Sequence, residues 1–92
     1  LGLPSSPQLY RDRAAAYGTL GDFERARADA EAALQAARAA GDRLQEWHAL
    51  LDLGLHWAGR DYSEAGTYYQ RAFELAEELL KQRISKEGAE EE

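Results

Sequence analysis

His48, Asp52 and His56 are the residues whose types and spacing come nearest to chemistry in this sequence. At i, i+4 and i+8 they share one face of a helix. Imidazole and carboxylate groups in such an arrangement are ligands for zinc or nickel. Helical rise separates His48 from His56 by about 12 Å along the axis, so one ion could take one His–Asp pair but not all three residues. The expectation is therefore that no metal or other cofactor is held, and that this face offers polar contacts to a partner. A small metal-binding domain using His48, Asp52 and His56 stands as an alternative. No nucleophile–base pairing is visible: Ser5, Ser6, Ser63 and Ser85 sit at helix ends or in terminal segments. Cysteine is absent, which removes thiolate nucleophiles, thiolate zinc sites and disulfides. No Gly-rich loop cradles a phosphate. The chain reads as a non-enzyme.

The elements that carry these residues are helices. Eighteen alanines, no valine and a single isoleucine, Ile84, favour helix over sheet. Ninety-two residues make one small domain with a modest core. The formal charge of −6 is concentrated at the end, where Glu87, Glu90, Glu91 and Glu92 lie. The arginines are interspersed with acids, so no basic stripe points to nucleic acid. No apolar run is long enough to span a membrane, and the first residues lack the basic start and apolar stretch of a signal peptide. The cytoplasm is the expected compartment. Position 1 is not methionine, which suggests a processed chain or an excised fragment.

Four helices are predicted. The first runs over Pro7–Thr19, after a lead-in at 1–6 that ends in an N-capping Ser6. Leu20-Gly21-Asp22 stops it and caps a second helix over Phe23–Ala40. Gly41-Asp42 repeats the signal before a third, unusually apolar helix over Arg43–Ala58. Gly59-Arg60-Asp61 ends that helix, and Asp61 with Glu64 forms an acid-led capping box. The fourth helix is expected over 62–84, followed by a disordered acidic tail at 85–92. The hairpins thus occupy 7–41 and 42–84.

The two hairpins repeat each other. Helices two and four align at an offset of 39, pairing Asp22 with Asp61, Phe23 with Tyr62, Ala26 with Ala65, Ala33 with Ala72, Leu34 with Phe73 and Ala37 with Ala76. Helices one and three align at an offset of 40, pairing Tyr10 with Leu50, Ala14 with Gly54 and Tyr17 with Trp57. The one-residue difference is placed in the turn. A period near 40 built from two helices is a helical-hairpin repeat.

In the second copy, Leu50, Leu53-Gly54, Trp57, Asp61-Tyr62, Ala65, Tyr69 and Ala72 follow the pattern of the tetratricopeptide repeat family. In the first, Tyr10, Ala14, Tyr17, Gly21-Asp22-Phe23, Ala26 and Ala33 do so. The chain resembles that family over roughly residues 8–80, and its length and the stretch 37–55 look like the long-repeat subtype of bacterial regulators and signalling ATPases. Arg13 replaces the expected leucine, Ala30 the second bulky residue and Arg60 the expected glycine. The resemblance implies an all-α fold of four antiparallel helices, stacked as a short right-handed superhelix. It implies a scaffold that binds protein or peptide in a concave groove. Arg11, Ala15, His48, Leu51, Asp52, Leu55 and His56 would line that groove. Positions near Arg11, Asp12, Ala15, Leu51, Asp52 and Leu55 lack the Lys, Asn and Arg set with which some relatives grip a terminal carboxylate. An amphipathic or extended segment suits them better.

About three repeats usually make a stable solenoid, and two leave both ends uncovered. Self-association through repeat ends is the favoured solution, using Trp47, Tyr68, Leu75, Leu79, Leu80 and Ile84, so a homo-oligomer is expected. Internal capping by the last helix is the alternative. A purely structural stretch of a longer solenoid is the alternative at the level of function.

Overall fold

A computed structural model describes residues 6–91, without the side chains of 87 and 89–91. The fold is all-α. Helix α1 spans Pro7–Thr19, α2 Phe23–Ala40, α3 Arg43–Ala58 and α4 Tyr62–Glu91. The first three agree residue for residue with the boundaries read from the sequence. The expected lead-in at 1–5 and the last residue of the tail lie outside the described residues.

The agreement has a local cause. Each helix starts on a residue whose side-chain oxygen accepts an otherwise unpaired backbone N–H. Ser6 Oγ accepts from Leu9 at 3.2 Å, Asp22 Oδ1 from Arg25 at 3.1 Å, and Asp42 Oδ1 from Gln45 at 3.0 Å. Asp61 Oδ1 accepts from both Ser63 at 2.9 Å and Glu64 at 3.2 Å. The Asp61–Glu64 box is one-sided, because the Asp61 N–H donates to the Trp57 carbonyl at 2.8 Å. Gly21 and Gly41 end their helices at φ +79° and +68°, a conformation that costs glycine nothing.

Two expectations are corrected. The one-residue difference between the copies is taken up at the helix end. Helix α1 continues two residues past Tyr17, whereas α3 continues one past Trp57, where Gly59 stays right-handed at φ −83°. The expected tail at 85–92 is helical through Glu91. Ser85 and Gly88 aside, the segment consists of Lys, Glu and Ala, and these are strong helix formers.

Helices α1 and α2 pack together across the turn at 20–22 to form one hairpin, and α3 and α4 do the same across 59–61. The hairpins join where α2 packs on α3, with a smaller contact between α1 and α3. The core is centred on Leu50 and Leu53, the largest fully buried side chains. Around them lie Leu34, Leu75 and a run of alanines: Ala14, Ala30, Ala33, Ala49 and Ala72. Small side chains on α2 let its neighbours come close, at the expense of buried area per residue. At the turn end, Phe23 meets Trp57 edge-on at 5.0 Å, and the Arg60 guanidinium lies 4.2 Å above the Phe23 ring. The Trp57 indole N–H is buried there without an acceptor among the described residues.

Candidate functional site

Helices α1 and α3 run side by side and leave a cleft of about 250 Å³ between them. Ala15 and Leu55 supply its apolar surface, while Gln8, Arg11, Asp12, Asp52 and His56 supply polar groups. Leu55 is 67% exposed, although it stands on the most apolar helix.

A hydrogen-bonded chain ties the two walls together. Arg11 Nε donates to Asp52 Oδ2 at 2.7 Å, in an ion pair whose side chains are 20% and 26% exposed. Arg11 Nη1 reaches Gln45 Oε1 at 3.4 Å. Gln45 Nε2 donates to Gln8 Oε1 at 3.3 Å, and Gln8 Nε2 to Asp12 Oδ1 at 2.9 Å. Charge-assisted and shielded, the Arg11–Asp52 bond is the strongest of these. The chain sets the distance between α1 and α3, and with it the width of the cleft. Gln8 and Gln45 escaped the reading of the sequence. They lie 37 positions apart, and nothing local marks either glutamine as a cross-helix partner.

Of the seven groove residues expected from the sequence, Arg11, Ala15, Asp52, Leu55 and His56 line this cleft. Two do not. Leu51 packs against the core, and His48 lies a turn before Asp52 on α3, its ring tilted beside that of Trp47. The Asp52 carboxylate is occupied by Arg11, and among the described residues no group of three His, Asp or Glu side chains converges as a metal site. His56 has a second neighbour: a Cβ at Gly18 would stand 3.3 Å from its ring, so the bare helix backbone there leaves room for the imidazole.

The residues expected to drive self-association divide. Leu75 is a core residue, and Trp47, Tyr68 and Leu79 are half-buried against the same core. Leu80 and Ile84 are exposed. Burial raises the Tyr68 phenol above its ordinary value, and the nearby Glu31 and Glu64 carboxylates add to the effect. The exposed Tyr62 and Phe73 were missed, although Phe73 sits at the position equivalent to Leu34.

No described helix is long and apolar enough to cross a membrane. Comparison with protein-family models, with curated proteins and with solved structures finds no match for this chain.

Proposed function

We propose that this chain is a non-catalytic helical-repeat module of the tetratricopeptide type, and that the α1/α3 cleft takes a side chain of an extended or amphipathic protein segment. The observation that carries the reading is the cleft itself, an exposed Leu55 beside His56 and a tied frame of Arg11, Asp12 and Asp52. Its volume of about 250 Å³ falls below the range usual for small-molecule sites, about 300–1,000 Å³, and suits an anchoring side chain better. Apolar and polar groups of both signs favour a partner that presents an apolar anchor beside charged neighbours. The doubled hairpin pattern supports the family assignment and the right-handed stacking that goes with it.

Selection of displayed random peptides against the immobilised chain tests the proposal. Peptides with a large apolar residue near a charge should be enriched. Their affinity should fall at least about tenfold on Leu55→Glu, the loss of one buried anchor of about 1.4 kcal/mol or more. Selected peptides that bind Leu55→Glu and Arg11→Ala as tightly as the wild type would rule the cleft out.

A further inference from the structure

Helix α4 carries two apolar stripes. Ala65, Tyr68, Ala72, Leu75 and Leu79 form the first, which packs on the rest of the molecule. The second consists of Tyr62, Tyr69, Phe73, Leu80 and Ile84; the Tyr69 ring lies partly against Gly54 of α3, and the other four are well exposed. Their spacing of seven, four, seven and four keeps them within about 40° of one line along the helix, at about 100° per residue. The line covers about 33 Å.

The internal repeat shows what such a stripe does. At the offset of 39, Tyr62, Tyr69, Phe73 and Ala76 correspond to Phe23, Ala30, Leu34 and Ala37 of α2. Phe23 meets Trp57 of α3 edge-on, and Leu34 lies in one core cluster with Leu50 and Leu53 of α3. Leu34 is 3% exposed, whereas its equivalent Phe73 is 61% exposed. The same surface is therefore covered in the first hairpin and open in the second. Gly66 adds an independent sign. It lies inside a long helix, where glycine is disfavoured relative to alanine, and a Cβ there would meet nothing within 4 Å. No neighbour among the described residues requires a glycine at that point, yet it lies beside the open stripe.

We infer that the second stripe of α4 is a docking face for α4 of a second copy, in an antiparallel pair centred on Phe73. This register sets Phe73 against its own copy, Tyr62 against Ile84, and the bulky Leu80 over the bare backbone at Gly66. Tyr69 meets Glu77, a phenol beside a carboxylate. The stripe is thus self-complementary about one point, as a two-fold interface requires. At the opposite end the described residues offer a mixed surface, with the exposed Leu9 beside Asp12 and Arg13. Arg13 stands there at the position of the buried Leu53, and it forms an ion pair with Asp29. Tail-to-tail pairing satisfies both ends, whereas head-to-tail stacking would bury that charged pair. The inference rests on the reading of the chain as an interaction module and adds a second copy as the partner of a separate face.

Sedimentation of the full chain over a concentration series, with variants, tests it. Wild type should reach twice the monomer mass. Phe73→Glu should stay monomeric with an unchanged helical circular dichroism spectrum. The chain contains no cysteine, so single cysteines report the register. Phe73→Cys should oxidise to a disulfide-linked dimer, and Thr67→Cys, on another side of α4, should not. A monomer at all concentrations, a dimer that survives Phe73→Glu, or equal cross-linking from both cysteines overturns the inference. Peptide binding at Leu55 is read separately, so a wild-type monomer that still binds selected peptides removes the dimer and leaves the cleft.

Discussion

The two hairpins use the same plan with different materials. In the first, the contact between helices runs through Arg13 and Asp29, whose side chains meet in a two-pronged pair at 2.7 and 2.8 Å. At the equivalent positions the second hairpin has Leu53, fully buried, and Tyr68, half-buried against the core. The neighbouring positions also trade size. Ala14 and Ala30 in the first become Gly54 and Tyr69 in the second, where a Cβ on Gly54 would come within 2.5 Å of the tyrosine ring. Arg13 and Ala30 are each accompanied by a second change on the other helix of the pair, at Asp29 and Ala14. Charge replaces apolar contact at the end that faces solvent, and apolar contact is kept where one hairpin meets the other. Position in the stack decides which chemistry a site needs.

Exchanging these materials should break the molecule unequally. Leu53→Arg puts the first hairpin's residue into the second, where Tyr68 stands in the place of Asp29. An unpaired buried charge should cost more than about 4 kcal/mol, enough to leave a domain of this size largely unfolded by circular dichroism. Leu53→Ala should cost about 2–5 kcal/mol in urea denaturation. Gly54→Ala should cost about 1–3 kcal/mol, because the Tyr69 ring must leave its place. The double variant Gly54→Ala/Tyr69→Ala, which copies the first hairpin, should lose less than the sum of its single changes.

The charged pair sharpens the comparison from the other side. Arg13→Leu alone should destabilise the chain, because it strands the buried Asp29. Arg13→Leu with Asp29→Leu should recover much of the loss in the same denaturation series. A double variant as weak as the single one would mean that the pair holds α1 and α2 in a way apolar contact cannot. The smallest effect concerns pH. The raised Tyr68 phenol keeps its proton in the fold after an unfolded tyrosine, near 10, has released it. Its contribution is therefore complete below pH of about 10 and fades as pH rises further. Tyr68→Phe should flatten the alkaline loss of stability relative to wild type.

What could be read from the sequence was local. Ser6, Asp22, Asp42 and Asp61 mark helix starts because a cap acts within three residues of itself, and Gly21 and Gly41 mark ends for the same reason. The end of α4 was misread because its charged residues look alike in a solvated tail and in an exposed helix. The division of labour on α4 was not legible either. Leu75 and Phe73 are both apolar at helical spacing, and which one is covered depends on where α3 lies. For the cleft, the i, i+4 spacing on α3 identified Asp52 and His56, and the family resemblance supplied Arg11 and Ala15 from α1, but the links through Gln8 and Gln45 arise only from tertiary packing. The Arg13–Asp29 pair did leave a trace, since Arg13 stands where the repeat expects leucine.

The two ends of the molecule differ, with the Arg13–Asp29 ion pair at one and the exposed apolar stripe of α4 at the other. The most direct measurement is the solution mass of two matched variants, each placing a glutamate on an exposed apolar residue: Leu9→Glu at the first end and Phe73→Glu at the second. Leu9→Glu should associate as the wild type does, and Phe73→Glu should be monomeric. Association lost in Leu9→Glu and retained in Phe73→Glu would contradict docking through α4.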